Sequence, residues 1–343
     1  MRIDITPVLE FILSQQNTDG SFSTYESYPV VRPNDGWSKL PDNSPFITAN
    51  VMYSLLQTEN SLVGPTIKRA ADYLWLQRER NAYWRFWPAK SAQHHIPTDM
   101  DDTCLVSFVL SKLGYNIDNR RILMNNKNKD GYFETWLTPK ISNFVLNPVL
   151  SMKFAKDCIY SLPTRLVQFL TFSDCEPAVA ANALLYLGEN GNSLCIEAIN
   201  YQIASNNMRL QYYYDELMVY YHVSRAYANG IKNFRDVGKV ITERLTNRFR
   251  TINDSENILL QLMAANVLLD FKTNSELAEL LVRHIADHPE YKCNWPCLAY
   301  FSSENRNFMA GAPEFTAGLF VEAASKLNKK YLQINEDTYK EQY

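Results

Sequence analysis

Three aspartates stand close together at the front of an apolar segment, in the order Asp99, Asp101 and Asp102, and Thr103 follows them. Carboxyl groups this close repel one another when ionised, so at least one of them is expected to hold its proton near neutral pH. A carboxyl that keeps its proton in a dry cavity is a strong general acid, suited to the protonation of a plain alkene. A structural interpretation competes with this one. Thr98 or Asp99 caps a helix, and the acidic first turn offsets the helix dipole.

Helical periodicity dominates the chain that must position these carboxyls, and no convincing strand alternation is present. Six segments are apolar on all sides and begin with small or polar residues: Pro45 to Leu56, Asp99 to Leu113, Glu176 to Leu187, Tyr213 to Tyr227, Asp254 to Phe271 and Pro313 to Leu327. Six amphipathic segments alternate with them: Thr6 to Gln16, Pro65 to Arg78, a broken one from Asn119 to Phe169, Cys195 to Ser205, Phe234 to Arg248 and Ser275 to His288. Helices that are apolar all round are buried, and helices with one polar face lie outside. This alternation predicts an all-α (α/α)6 barrel in one domain, residues 1–343, because no pair can bury its apolar face alone.

The loops carry a second repeat, Gln-x-x-Asp-Gly-Ser-aromatic, from Gln16 to Phe22. A fainter copy runs from Asn128 to Phe133, and a looser one from Gln77 to Trp84 and Trp87. The Asp-Gly pair forms a turn after a helix, and the aromatic ring packs back over it. The repeat resembles the Q-x-x-D-G-S-W repeat of terpene cyclases and of protein prenyltransferase β subunits. Asp99 to Thr103 is similar to the D-x-D-D-T acid motif of class II terpene cyclases.

This resemblance covers nearly the whole chain, and it implies an activity as well as a fold. By the match to the family's motif, Asp101 is the proton donor, Asp99 and Asp102 keep it protonated, and Thr103 is a hydrogen-bond partner. The implied reaction is an isomerase or lyase reaction that protonates the terminal alkene or epoxide of a linear isoprenoid. Most class II cyclases place the active site between two α-barrel domains, whereas this chain supplies one. Loops or a second protomer in a homodimer would therefore have to close the cavity.

The resemblance also implies aromatic walls, because the π faces of rings stabilise positive charge. The candidate rings are Trp84, Phe86, Trp87, Tyr212, Tyr213, Tyr214, Tyr220, Trp295, Tyr300, Phe301 and Phe308. A cluster is expected rather than any single ring, since one ring alone is more often ordinary packing. Asn182 and the pair Asp215-Glu216 lie on buried helices, where they either contact the reacting centre or cap a helix.

A prenyl diphosphate is the first substrate expected, with Mg²⁺ bridging its phosphates, and a diphosphate-free polyprene is the second. Possible anchors for a diphosphate are Arg32, Lys39, Arg85, Lys90, Arg225, Lys292 and Arg306. Arg225 is favoured because it lies inside a buried-helix segment. No glycine-rich phosphate loop and no class I aspartate-rich ionisation motif is present, so ionisation of a diphosphate is not the expected first step. No residues match the zinc ligands of protein prenyltransferases, and no metal site is predicted.

Composition narrows the classes of function further. The 343 residues are 46% hydrophobic and 13% aromatic and carry a formal charge of −3 without a basic tract, which argues against nucleic acid as a partner. The longest apolar runs fall short of a membrane span, and the first residues do not form a signal peptide. We therefore expect a soluble, cytoplasmic protein whose six cysteines are mostly reduced. The alternative to an enzyme is a non-catalytic barrel that binds a polyprenyl chain or a partner protein.

Overall fold

The structure is a computed structural model that describes residues 2–29, 36–79, 82–88, 90–91, 96–137, 140–160, 175–251, 257–303 and 305–341. The α-helices in these ranges are α1 (Thr6–Ser14), α2 (Pro45–Leu55), α3 (Gly64–Leu76), α4 (Met100–Lys112), α5 (Arg120–Met124), α6 (Ile141–Leu146), α7 (Pro148–Tyr160), α8 (Pro177–Leu187), α9 (Ser193–Ala204), α10 (Glu216–Ala228), α11 (Arg235–Arg248), α12 (Ile258–Asp270), α13 (Ser275–Ala286) and α14 (Pro313–Glu341). The strands are β1 (Tyr25–Ser27), β2 (Ser38–Lys39), β3 (Ala299–Ser302) and β4 (Met309–Gly311).

Six of the helices close a ring. α2 packs on α4, α4 on α8, α8 on α10, α10 on α12, α12 on α14, and α14 returns to α2. Every residue of α2 and α8 is buried, as expected for helices that are apolar all round. α2 and α8 each begin with a proline in the first helical turn. The backbone N–H groups of a first turn have no acceptor within the helix, so proline, which has no N–H, is favoured there and helps to define where the helix starts.

A second layer of helices surrounds this ring. α1 lies against α14, α3 against α2, α9 against α8, α11 against α10 and α12, and α13 against α12 and α14. α13 buries only Ala278, Leu281, Val282 and Ile285, which form one stripe. The predicted all-α (α/α)6 barrel is confirmed, and the broken outer segment between α4 and α8 contains α5, α6 and α7. Because outer helices return the chain, the inner helices run parallel and their N-termini share one mouth.

In the described residues, four short strands accompany the helices, although the sequence shows no convincing strand alternation. The strands form an antiparallel sheet in the order β2-β1-β4-β3, with Tyr25 opposite both Lys39 and Gly311. Each strand has two to four residues, which is too short for an alternating pattern to be visible in the sequence. The sheet ties the segment after α1 to the hairpin before α14 and so holds β3 at the mouth of the ring. Among the described helices, none combines the length and the apolar character needed to cross a bilayer.

Candidate active site

Asp99 has a structural role at the start of α4. It is the N-cap residue, and its Oδ1 accepts a hydrogen bond from the backbone N–H of Asp102 at 2.7 Å. An aspartate in this position offsets one of the unpaired N–H groups at a helix start. The structural interpretation of the acidic motif is therefore correct for Asp99, which leaves the roles of the other two carboxyls to be decided by where they point.

Asp101 points across the ring instead of toward its own helix. Its Oδ1 accepts a hydrogen bond from Nδ2 of Asn182 on α8 at 2.6 Å, and its Oδ2 accepts one from the hydroxyl of Tyr213, which precedes α10. Burial raises the pKa of Asp101 to about 6, while these two hydrogen bonds and the charge of Arg225 oppose the rise. Asp101 therefore holds a proton more tightly than a solvated aspartate, and its ionised form is still stabilised by two donors.

Asp102 holds its proton more tightly than a solvated aspartate does. Burial and the negative charge of Asp99 raise the pKa of Asp102 well above its ordinary value. Burial also raises the pKa of Asp99 to about 7, and a hydrogen bond from Asp102 partly opposes that rise. The charge and the hydrogen bond of Asp99 thus favour the protonated form of Asp102. Burial, rather than repulsion by its neighbours, is the main cause of the raised pKa of Asp101, which differs from the expectation.

These carboxyls make a prediction about stability. A carboxyl whose pKa is higher in the folded than in the unfolded protein stabilises folding below about pH 4, and this stability is lost as pH rises through the folded value. We expect the free energy of unfolding to fall between pH 4 and pH 7, the window set by Asp99 and Asp101. In Asp102→Asn the amide still donates to Asp99 and the like charge is gone, so the decline should be shallower. Urea unfolding at several pH values would measure it, and equal slopes in both proteins would contradict the interaction between Asp99 and Asp102.

A buried hydrogen-bond chain continues from Asn182 into the ring. The Oδ1 of Asn182 lies 2.9 Å from Nδ1 of His222, and Nε2 of His222 lies 2.9 Å from the hydroxyl of Tyr300 on β3. Burial lowers the pKa of His222 well below its ordinary value, so the ring is neutral. Since Asn182 donates to Asp101, its oxygen faces His222, and the network assigns the His222 proton to Nδ1. Each donor in this chain is then directed toward Asp101.

Arg225 lies at the far end of the same chain. Its Nη1 donates to Oδ1 of Asn50 at 3.2 Å, and the hydroxyl of Tyr300 lies 3.4 Å from the same oxygen. The guanidinium is fully buried and stacks on the ring of Tyr53, 3.5 Å from its centroid. The structure thus places Arg225 inside the network behind the acid, where its charge lowers the pKa of Asp101. This position differs from the diphosphate anchor expected for it.

A connected set of aromatic rings lies at the mouth, and we call nine of its members the mouth cluster: Phe46, Phe86, Trp87, Trp136, Tyr212, Tyr213, Tyr300, Phe301 and Phe308. Phe301 stacks on Phe86 at 5.2 Å and on Tyr212 at 5.8 Å between ring centroids. Tyr213 meets Tyr300 edge to face at 5.6 Å. The structure therefore joins seven of the eleven rings named from the sequence, and Tyr213 connects them to Asp101.

Trp84 and Thr103 have a structural role that the loop repeat explains. The backbone N–H of Trp84 donates to Oγ1 of Thr103 at 3.1 Å, and its indole Nε1 donates to the carbonyl of Leu74 at 2.8 Å, at the end of α3. The first repeat has the same arrangement, because the N–H of Phe22 donates to Oγ1 of Thr48 at 3.1 Å. In both cases the threonine hydroxyl, on an inner helix, accepts a hydrogen bond from the loop that carries the aromatic residue. Thr103 and Trp84 thus bond each other in the described structure, and their expected roles at the site stay predictions.

Three other expected rings make their described contacts with groups other than Asp101. The hydroxyl of Tyr220 accepts a hydrogen bond from Arg244 on α11, so it faces the outer layer. Tyr214 donates to the carbonyl of Ala299 at 2.7 Å. Trp295 packs on Phe320, with ring centroids 5.5 Å apart. An apolar helix offers all its faces to neighbours, so its sequence does not show which residues face the centre of the ring.

The remaining polar candidates are engaged elsewhere or exposed. Asp215 caps α10 and pairs with Arg248 at 2.8 Å, while Glu216 accepts from Tyr220 at 3.1 Å. Arg85 pairs with Glu79. Lys39, Lys90 and Lys292 are exposed, and Arg32 lies outside the described residues. Within the described ranges, no three His, Cys, Asp or Glu side chains group as metal ligands.

Asn50, His222 and Glu176 were missed as site residues by sequence reasoning. Asn50 belongs to the recurring Ala-Asn pairs that also contain Asn182, and that repetition was a usable signal. His222 is the only histidine in its apolar segment, and a lone polar residue in such a segment was a second signal. Glu176 had no distinguishing pattern.

Comparison with known proteins adds little to this site. No protein-family model and no curated protein matches the chain. Among solved structures, the chain is similar to ent-copalyl diphosphate synthase from Streptomyces platensis, with 13% sequence identity and a TM-score of 0.49. The match covers 83% of this chain and 50% of that chain, so this chain spans about half the length of the protein it matches. So distant a likeness assigns no residue role, and the fold assignment depends on the closed helix ring.

Proposed function

We propose that this chain is a class II-type terpene cyclase in which Asp101 is the general acid. The observation that carries the proposal is the position of Asp101, buried at the mouth of the ring and joined through Tyr213 to the mouth cluster. Burial retains a proton on Asp101, and the donors Tyr213 and Asn182 stabilise the carboxylate left after transfer. A pKa of about 6 keeps the acid partly protonated near neutral pH.

The proposed reaction begins when the Asp101 proton moves to the terminal alkene carbon, or to the epoxide oxygen, of a linear isoprenoid. For an alkene, its π electrons form the new C–H bond, and a tertiary cation remains on the neighbouring carbon. The next alkene attacks that cation and closes a ring. The last cation loses a proton to a base or is captured by water. If it loses a proton, the substrate is isomerised and the acid is regenerated by a proton from solvent.

The mouth cluster would protect the cation in this proposal. Aromatic faces attract positive charge without offering a nucleophile, and each such contact stabilises it by about 0.5–2 kcal/mol. Phe86 and Trp87 are 6% and 5% exposed, which limits the water that reaches this part of the cluster. Loops around the mouth or a second copy of the chain in a homodimer would complete the closure.

A prenyl diphosphate is the first proposed substrate, and Mg²⁺ would arrive with it as part of the substrate. A diphosphate-free polyprene is the second. A different function, a non-catalytic barrel that binds a polyprenyl chain or a partner protein, is favoured by one observation: Asp99 is already used as a helix cap. In that case the motif would be a structural feature, and ligand binding would not depend on the proton of Asp101.

The test is incubation of the protein in D₂O buffer with farnesyl and geranylgeranyl diphosphates plus Mg²⁺, and separately with squalene. We expect a cyclic product that contains one solvent deuterium in the methylene group formed at the protonated alkene carbon, detected by mass spectrometry and NMR. Initiation by loss of diphosphate would leave that position unlabelled. An unlabelled product would contradict the proposed acid, and absence of product from every substrate together with retained ligand would support the binding protein.

A further inference from the structure

The short segment 210–213, between α9 and α10, has almost every backbone polar group occupied although it belongs to no helix or strand. Buried backbone groups normally find partners in secondary structure, so a segment outside it needs other partners. Here side chains supply most of them. This segment ends at Tyr213, the residue whose hydroxyl contacts Asp101.

Glu176 binds the N–H groups of this segment. Its Oε1 accepts from the N–H of Gln211 at 3.1 Å and from that of Tyr213 at 3.0 Å, and its Oε2 accepts from Tyr212 at 2.9 Å. Glu176 is the fully buried N-cap position of α8, yet its carboxylate does not cap its own helix. One side chain thus satisfies three consecutive N–H groups more than thirty residues away in the chain.

Arg306 binds the carbonyl groups of the same segment. Its Nη1 donates to the carbonyl of Gln211 at 3.1 Å, and its Nη2 donates to those of Leu210 at 3.2 Å and Tyr213 at 3.4 Å. The carbonyl of Tyr212 accepts from the N–H of Ser302 at 2.9 Å. Arg306 has a φ of 59°, a left-handed conformation that is uncommon outside glycine and has to be held by its contacts.

We propose that Glu176 and Arg306 are positioning residues that clamp segment 210–213 from its two sides, and so hold the Tyr213 hydroxyl on Asp101. This inference rests on the proposed function for its catalytic meaning, since the acid in question is Asp101. The two residues restrain the backbone of segment 210–213, and that backbone positions the phenol ring of Tyr213. The Tyr213 hydroxyl then stabilises ionised Asp101 through its hydrogen bond. Without the clamp, Tyr213 would be free to leave Asp101 without any change to the acid itself.

Asp101 responds to groups from every element packed around it, and the test must separate the clamp from them. These groups are Asp99 and Asp102 at the start of α4, Glu176 and Asn182 from α8, His222 and Arg225 on α10, and Tyr300 on β3. Burial raises the pKa of Glu176 to about 8, so its carboxyl is largely uncharged where Asp101 titrates. Glu314 offers a matched control: it is a buried carboxyl in the first turn of another inner helix, and burial raises its pKa to about 7. None of its described contacts is with segment 210–213.

The experiment is an NMR pH titration of protein labelled with [γ-¹³C]aspartate, in which Asp101→Asn identifies the Asp101 signal. We expect Tyr213→Phe to move the Asp101 midpoint upward by about one pH unit, the effect of one hydrogen bond to a charged group. Glu176→Gln should also move the Asp101 midpoint upward, because the glutamine amide nitrogen then faces a backbone N–H and cannot accept its hydrogen bond. In a Tyr213→Phe background, Glu176→Gln should cause no additional shift. Arg306→Lys keeps the positive charge but loses the several N–H donors of the guanidinium. It should also move the Asp101 midpoint upward. Glu314→Gln should leave the midpoint unchanged.

The outcomes distinguish this inference from the proposed function. An Asp101 midpoint that moves in Tyr213→Phe but not in Glu176→Gln or Arg306→Lys would overturn the clamp, and so would an equal shift in Glu314→Gln. The titration needs no substrate. If the expected shifts appear while wild-type protein makes no cyclic product, the clamp stands and the cyclase proposal fails. If product forms, the fall in its rate at high pH, which follows loss of the Asp101 proton, should move with the NMR midpoint.

Discussion

Asp101→Asn should lower the rate of cyclic product formation by at least about a thousandfold while the protein stays folded. A general acid contributes roughly 10²–10⁴ in rate, and here its proton is also a reactant, so the loss should lie in the upper part of that range. The asparagine side chain has nearly the shape of aspartate and can still contact Asn182 and Tyr213. Binding of the isoprenoid should therefore survive the substitution, which separates the proton from the shape of the site.

The measurement is product formation by mass spectrometry beside the thermal midpoint of unfolding. Asp215→Asn is the matched control, since Asp215 caps another inner helix, α10, and asparagine caps equally well. It should keep the rate close to the wild-type value, while the thermal midpoint falls slightly because the ion pair with Arg248 is lost. Asp99→Asn also keeps its cap, and it should lower the rate less than Asp101→Asn does. A cyclic product from Asp101→Asn at the wild-type rate would end the assignment of Asp101 as the acid.

Lys326→Met should have the largest effect on stability, a loss of about 3–5 kcal/mol in the free energy of unfolding. Lys326 lies 2.6 Å from Asp270 and 2.8 Å from Glu322, in a cluster between α12 and α14 at the end of the ring opposite the mouth. The side chains of the two acids are 3% and 0% exposed. Removal of the lysine leaves two buried carboxyls without their cation, which costs far more than the pair itself contributes.

Urea unfolding at pH 7 would measure this loss. Lys329→Met is the control on the same helix, because Lys329 pairs with Glu59 at 3.2 Å while both side chains are largely exposed, and it should cost less than about 0.5 kcal/mol. The triple variant Lys326→Met, Asp270→Asn and Glu322→Gln removes all three charges and should recover most of the loss. Equal losses from both single lysine variants would show that burial of the cluster has no special cost.

The acid motif shows how far sequence reasoning reached into the site. Its capping interpretation holds for Asp99, and its general-acid interpretation remains a proposal for Asp101, which the structure directs across the ring. One four-residue pattern thus contains two roles, and a pattern cannot assign them because the two side chains differ only in which way they leave the helix. The pattern also could not give the partner of Thr103, whose hydroxyl bonds the backbone of Trp84.

The alternation of inner and outer helices, the turn repeats and the crowded carboxyls at the start of α4 were all determined by the sequence alone. These features express local energies, namely helical periodicity, capping and turn conformation, which neighbouring residues specify by themselves. The partners of Asp101 were decided only by the tertiary structure. Asn182 and Tyr213 lie 81 and 112 residues further along the chain, and the clamp on Tyr213 joins α8 to the hairpin before α14. Those contacts exist because the ring closes, and ring closure depends on the packing of all six inner helices together, which no local pattern encodes.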